Sequence, residues 1–196
     1  MNSDQIRPRL VIVIPTLNRF NFLLPLLRQL SLQVIKLSLD YGYPVVKIVC
    51  IDNASTDETR LLEQHIDPSI INVIHRQERL ASNESLANAF FHTLESDFTW
   101  TLSDDEILLE DSVLRALDSC DVADKIGANT LLFNFYQYDP KTSTTYSITA
   151  LPLPHTKFSV FSNVSSLLCQ TGVAGLLGFI SSWCVRTDVL RGGPVL

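Results

Sequence analysis

Trp100-Thr101-Leu102-Ser103-Asp104-Asp105-Glu106-Ile107-Leu108 carries a strand-like apolar run into three consecutive carboxylates and straight back to apolar side chains. Adjacent negative charges repel, and a cation among them removes that cost. In an extended segment side chains alternate, so Asp104 and Glu106 are expected on one side and Asp105 on the other. Two hard oxygen donors on one side suit Mg²⁺ or Mn²⁺, and Mg²⁺ commonly completes its shell with water and substrate phosphates. Asp104 and Glu106 are therefore candidate metal ligands in a site that a diphosphate would complete. The competing reading is a solvated turn or the acidic start of a helix, where carboxylates favour the dipole.

Two further polar clusters follow apolar runs: Pro15-Thr16-Leu17-Asn18-Arg19, and Asp52-Asn53-Ala54-Ser55-Thr56-Asp57. The elements before them are legible. Leu10 to Ile14 is a β-branched run closed by proline, the pattern of a strand buried on both faces, and Val45 to Ile51 repeats it. Ile71 to Ile74 and Phe98 to Leu102 supply two more strands. Between them, Phe22 to about Leu39 is leucine-rich and helical in character, and starting at Asn21 or Phe22 keeps Pro25 in the first turn. Ser55-Thr56-Asp57-Glu58 fits a capping box leading a helix through Leu61 and Leu62. Leu86, Ala89, Phe90, Thr93 and Leu94 form the apolar stripe of a helix opening near Ser82.

Strand–helix alternation at this spacing predicts an α/β fold with right-handed crossovers and a mainly parallel sheet flanked by helices. Such sheets bind ligands outside the carboxyl ends of their strands, where all three polar clusters lie. Asn, Asp and Ser also serve turns and caps, so loop chemistry is the alternative for Asn53, Ser55 and Asp57. After Asp118 the pattern weakens: Thr130 to Tyr138 is β-prone, Asp139 to Thr142 is a turn, and Tyr146 to Ala150 is a hairpin partner. Phe158 to Cys169 and Gly178 to Arg186 read as a further helix and strand.

Composition narrows the function classes. The net charge is −6 and basic residues are dispersed, which argues against a nucleic-acid partner. Cys50, Cys120, Cys169 and Cys184 lie far apart with no C-x-x-C pair, so they read as core thiols in a reducing, cytoplasmic compartment. The apolar run before Pro15 is too short for a signal peptide, and Val173 to Ile180 falls far below the roughly 20 residues that span a bilayer. Peripheral attachment at the inner face of a membrane stays open.

Val11-Ile12-Val13-Ile14-Pro15-Thr16-Leu17-Asn18-Arg19, then Val49-Cys50-Ile51-Asp52-Asn53-Ala54-Ser55-Thr56-Asp57, then Asp104-Asp105-Glu106, resemble in order and spacing the successive signatures of family 2 glycosyltransferases with the GT-A fold. Trp100 to Leu108 and Gly178-Phe179-Ile180-Ser181-Ser182 look most like its abequosyltransferase-type branch, which serves surface-polysaccharide assembly. The resemblance covers residues 9 to 118. It implies a GT-A-type, Rossmann-like nucleotide-sugar-binding half over residues 1–118 and an abbreviated acceptor-side half of the same domain over 119–196. It implies a nucleoside diphosphate sugar as donor and a glycan or glycolipid acceptor. Pro15, Thr16, Asn18, Arg19, Asp52, Asn53, Arg79, Asn83 and Asp105 would line the donor site, and Asp104 and Glu106 would hold Mg²⁺ or Mn²⁺.

Chemistry agrees for Asp52, since a carboxylate at a strand end can accept from uracil N3–H or the cytosine amino group. Its bland reading is a helix-entry cap. Arg76 or Arg79 could reach the diphosphate or base, or be surface charge, and Asn83 could instead cap the helix. The third acidic position departs from the family's common D-x-D by being Glu.

An inverting transfer also needs a group to take the acceptor hydroxyl's proton. Asp188 is the only carboxylate after Asp139 and is the weak candidate, although Val185 to Leu190 reads more like a strand exit into a helix cap. His155 lies in a Pro-bounded loop. A binding module without turnover is the competing class. A receiver-like Mg²⁺ domain is disfavoured because Thr16, Asn18 and Arg19 stand where its acidic pair belongs, and a dinucleotide oxidoreductase because no G-x-G-x-x-G follows the first strand.

Overall fold

A computed structural model describes residues 7–93, 95–133, 135–139, 141–148 and 180–192. Strands β1 (Leu10–Thr16), β2 (Val46–Asp52), β3 (Ile71–His75) and β4 (Phe98–Thr101) run parallel. They are joined by β5 (Thr130–Leu132) and by β8 (Trp183–Arg186), which is antiparallel to β4. The sheet order is β3-β2-β1-β4-β8-β5, and β6 (Phe135–Asp139) and β7 (Thr144–Ile148) form a separate antiparallel hairpin. This is the mainly parallel α/β sheet that the alternating sequence predicts, in the Rossmann-like form that the family resemblance implies. The expected segments at Leu151–Pro154, His155, Phe158–Cys169 and Gly178–Phe179 lie outside the described residues.

Both faces of the parallel strands are covered, which is why their sequences run apolar without alternation. On one face Leu10, Ile12, Ile14, Ile48 and Cys50 meet helices α1 (Phe20–Tyr41) and α3 (Ser112–Ile126) through Leu23, Leu27, Leu30, Val113, Leu117 and Cys120. On the other, Val11, Val13, Val49 and Ile51 meet Ala89 of α2 (Ser82–Phe91). A short helix α4 (Thr187–Gly192) follows β8. By length and composition α1 could cross a membrane. Its buried stripe, Phe20 through Leu37, is instead the sheet's cover.

Three local expectations are corrected. Helix α1 begins at Phe20, so Pro25 falls in its second turn and one ladder bond is missing. The early start is held by the Arg19 carbonyl, which accepts from Phe22 and Leu23 N–H, and by Asp57, which reaches Phe20 N–H at 3.4 Å. The Ser55 capping box does not form: Ser55 Oγ accepts from Asn18 N–H, and Asp57 caps a 3-10 helix over Glu58–Gln64 through Thr59 N–H. Asn83 does not cap α2, because the helix opens at Ser82 with Glu84 reaching back to Ala81 N–H.

At the amino edge of the sheet, Asp124 pairs with both Arg9 and Arg186. Partial burial pushes its carboxyl up, and the hydrogen bonds from the two guanidinium groups overcome this and hold it below the ordinary carboxylate range. A depressed folded-state pKa contributes stability above the unfolded value, about 4, and loses it as pH falls through the folded value. Asp124→Asn is therefore expected to lower the thermal midpoint at pH 7, the gap from wild type closing toward pH 3. A gap that stays constant on acidification would refute the pairing.

Candidate functional site

The carboxyl ends of β1 to β4 bring four polar side chains into one row. Register places Thr16 beside Asp52 and Asp52 beside His75, so these three project to the same side of the sheet. Beyond the end of β4, Asp104 closes the row: Thr16 Oγ1 donates to Asp104 Oδ2 at 2.7 Å, in a buried bond. Asp52 is also buried, with Oδ1 accepting from Ser55 N–H at 2.9 Å and Oδ2 lying 2.9 Å from His75 Nδ1.

The loops under this row are stapled together. Asn18 takes the left-handed conformation at φ 54°, which Asn tolerates, and its Oδ1 accepts from Thr56 N–H at 2.7 Å. Asn53 is buried and clamps Leu80 in both directions, donating to its carbonyl and accepting from its N–H, each at 2.9 Å. Both residues, read as donor-lining in sequence, spend these groups on holding the loops. Pro15 is half-buried at the end of β1, while Arg79 and Asn83 are exposed. Arg76 differs: its Nε and Nη2 are buried and lack a hydrogen-bond partner among the described residues, as does the buried Ser85 Oγ.

The acidic triplet is not extended. Strand β4 stops at Thr101 and Asp104-Asp105 form a turn, so the expected alternation fails: both aspartates face Arg19, at 3.4 Å from Nε to Asp104 and 2.8 Å from Nη2 to Asp105. Ser103 Oγ donates to Asp105 at 2.6 Å, and Glu106 is half-buried alongside. Burial pushes the Asp104 carboxyl above its ordinary range, with Asp105 adding to the rise and the Thr16 hydroxyl and Arg19 opposing it. A buried carboxylate whose Oδ1 meets only a long contact is suited to a divalent cation. Among the described residues no group of three His, Cys, Asp or Glu surrounds one point. An ion here would thus take one or two carboxylates, Asp104 with Glu106 or Asp105, and the rest of its shell from phosphate and water.

Two serines before β8 join the site from the second half of the chain. Ser181 Oγ accepts from Ser103 N–H at 2.9 Å and its carbonyl accepts from Trp100 Nε1 at 2.8 Å, while Ser182 Oγ is buried without a partner among the described residues. The Gly178–Ser182 motif was their only sequence signal. The antiparallel course of β8 carries Asp188 the other way. Arg186 pairs with Phe98 at the start of β4, and Asp188, exposed in the first turn of α4, lies at the opposite edge from Asp104. There it is a surface carboxylate 3.8 Å from Arg186 Nε. His75 had no sequence signal.

Comparisons with known proteins agree with this architecture. Staphylococcus aureus TarS 1-349 superposes with a TM-score of 0.65 at 16% identity, over 93% of this chain and 48% of that one. Mannosyl-3-phosphoglycerate synthase from Rubrobacter xylanophilus gives 0.54 at 13%, over 93% and 55%. Glucosyl-3-phosphoglycerate synthase from Mycobacterium tuberculosis, in complex with Mn²⁺, UDP and glucosyl-3-phosphoglycerate, gives 0.50 at 14%, over 94% and 58%. The chain thus spans about half the length of these structures. A sequence search of curated proteins returned no match. The family described as glycosyl transferase family 2 matches residues 11–175. With the fold, the polar row and more than half of the chain in agreement, this protein belongs to glycosyl transferase family 2.

Proposed function

We propose that the carboxyl edge binds a nucleoside diphosphate sugar with a divalent cation, and that the protein transfers the sugar to a glycan or lipid-linked acceptor. The observation that carries the reading is the convergence of Thr16, Asp52 and Asp104, from three separate strand ends, on one buried row. Related folds support the ligand class: TarS 1-349 has been crystallised with UDP-GlcNAc and with UDP, and the M. tuberculosis synthase with Mn²⁺ and UDP. In this reading the base sits near Asp52, and the diphosphate lies across the Asp104 turn with Arg19 and Arg76 as cationic partners. A bound Mg²⁺ or Mn²⁺ would act as a Lewis acid for the departing diphosphate. Thr16 holds the orientation of Asp104, and Arg19 offsets its charge when the site is empty of phosphate.

The free, buried Cys50, Cys120 and Cys184 suit a reducing, cytoplasmic location, with a lipid-linked acceptor reached at the membrane's inner face. A second reading, donor binding without turnover, is favoured by the place of Asp188, which leaves no base assigned among the described residues. Calorimetry with UDP, CDP and GDP, with and without Mn²⁺, tests the binding site. Pyrimidine diphosphates should bind more tightly with Mn²⁺, and the absence of any nucleoside diphosphate binding would overturn the reading. Product formation from nucleotide sugars and extracted glycolipids separates transfer from binding alone.

A further inference from the structure

We propose that the outer face of α1, together with the loop that follows the acidic turn, lies on an anionic lipid bilayer and so sets the carboxyl edge beside a lipid-linked acceptor. The inference rests on the lipid-linked acceptor in the reading above. One side of α1 covers the sheet through Leu23, Leu27, Leu30 and Val34, yet Phe22, Leu32 and Leu39 stand 55%, 71% and 78% exposed on the other. Ile107 and Leu109, at 66% and 58%, extend that surface from the loop. Hydrogen bonds to α1 hold the loop there: Gln29 Oε1 accepts from Leu108 N–H at 3.3 Å, and Gln33 accepts from Val113 N–H and donates to the Leu109 carbonyl, each at 2.9 Å. Large apolar side chains gathered on one exposed face mark an interaction surface.

Charge selects a lipid as the occupant. Phe20 to Leu39 contains no Asp or Glu, and its two bases, Arg28 and Lys36, are both exposed among these apolar residues, in a chain of net charge −6. A helix lying in the plane of an anionic membrane presents this combination, its apolar side chains entering the headgroup boundary and its bases meeting lipid phosphates. On the adjoining loop Glu110 is exposed, and Asp111 is paired with Arg115. Because its other side is buried on the sheet, α1 can lie on a bilayer but not cross it. Position links this surface to the site. The Arg19 guanidinium stacks over the Phe22 ring at 5.0 Å and pairs with Asp104 and Asp105, and Ile107 directly follows Glu106.

Flotation of the full chain with vesicles of phosphatidylcholine, alone or mixed with phosphatidylglycerol, tests this, with light scattering for self-association. Wild type should bind the anionic vesicles at least about tenfold more tightly than the neutral ones, since each Arg or Lys near such a surface contributes roughly fivefold. Arg28→Gln/Lys36→Gln should remove most of that difference. Leu32→Ser/Leu109→Ser should weaken binding to the anionic vesicles by at least about tenfold. All four positions are exposed, so both variants should unfold at the wild-type temperature and bind UDP in Mn²⁺ as wild type does. Wild type that floats with neither vesicle, equal binding to both, or binding that survives Leu32→Ser/Leu109→Ser overturns the proposal while leaving the donor site standing. A wild-type dimer that Leu32→Ser/Leu109→Ser dissociates also overturns it, because a second copy is then what covers the face. Wild type that floats with the anionic vesicles but binds no nucleoside diphosphate supports the lipid surface and overturns the donor reading.

Discussion

Asp104→Asn is expected to raise the Kd for UDP in Mn²⁺ by at least about a hundredfold and to abolish the Mn²⁺ dependence, since partners one shell further out already cost 10–100-fold in metal affinity. The substitution keeps the shape and an oxygen for the Thr16 hydroxyl, and removes the charge. Its effect on stability should have the opposite sign. The folded-state pKa of Asp104 is raised, chiefly by burial, so the ionised carboxylate opposes folding at pH 7, increasingly as pH rises from the unfolded value through the folded one. Asp104→Asn should therefore unfold at the same temperature as wild type or higher while losing nucleotide. Stability given up for function in this way is common where a site must hold a buried charge. Glu106→Ala, at a half-buried position, should cost less. Unchanged Mn²⁺ dependence in Asp104→Asn would remove the metal from the site.

What was legible in the sequence follows from which interactions are local. The four parallel strands could be read because burial on both faces demands continuous β-branched runs, and the three polar clusters because they end those runs. Caps were misread where several acceptors compete for one N–H. Ser55 and Asp57 both fit a helix start, and the choice falls to Asp57 because Asn18, from another loop, occupies Ser55 and Thr56. The alternation drawn for Asp104 and Glu106 assumed that β4 continues, whereas a turn after Leu102 brings Asp104 and Asp105 together on Arg19. Two residues depended on sheet topology. His75 meets Asp52 through the register of β2 with β3, and Asp188 leaves the site because β8 runs antiparallel.

The second large effect is expected beneath the site, at Trp100. Its indole is 5% exposed, meets the Phe133 ring edge-on at 5.1 Å, and donates through Nε1 to the Ser181 carbonyl at 2.8 Å. Trp100→Ala should cost about 3–5 kcal/mol, the range for emptying a large aromatic site, out of roughly 5–15 kcal/mol that hold a domain together. Trp100→Phe separates packing from hydrogen bonding. It retains most of the ring contact and leaves the Ser181 carbonyl unpaired, so about 1–2 kcal/mol should be lost. The same change frees Ser181, whose hydroxyl accepts from Ser103 N–H just before Asp104, and so loosens the acidic turn. Trp100→Phe is thus expected to weaken UDP binding in Mn²⁺ several-fold at a temperature where it is fully folded, in contrast to Asp104→Asn, which loses binding without loss of stability. Urea unfolding that places Trp100→Ala within about 1 kcal/mol of wild type would show that the site does not depend on this link for its support.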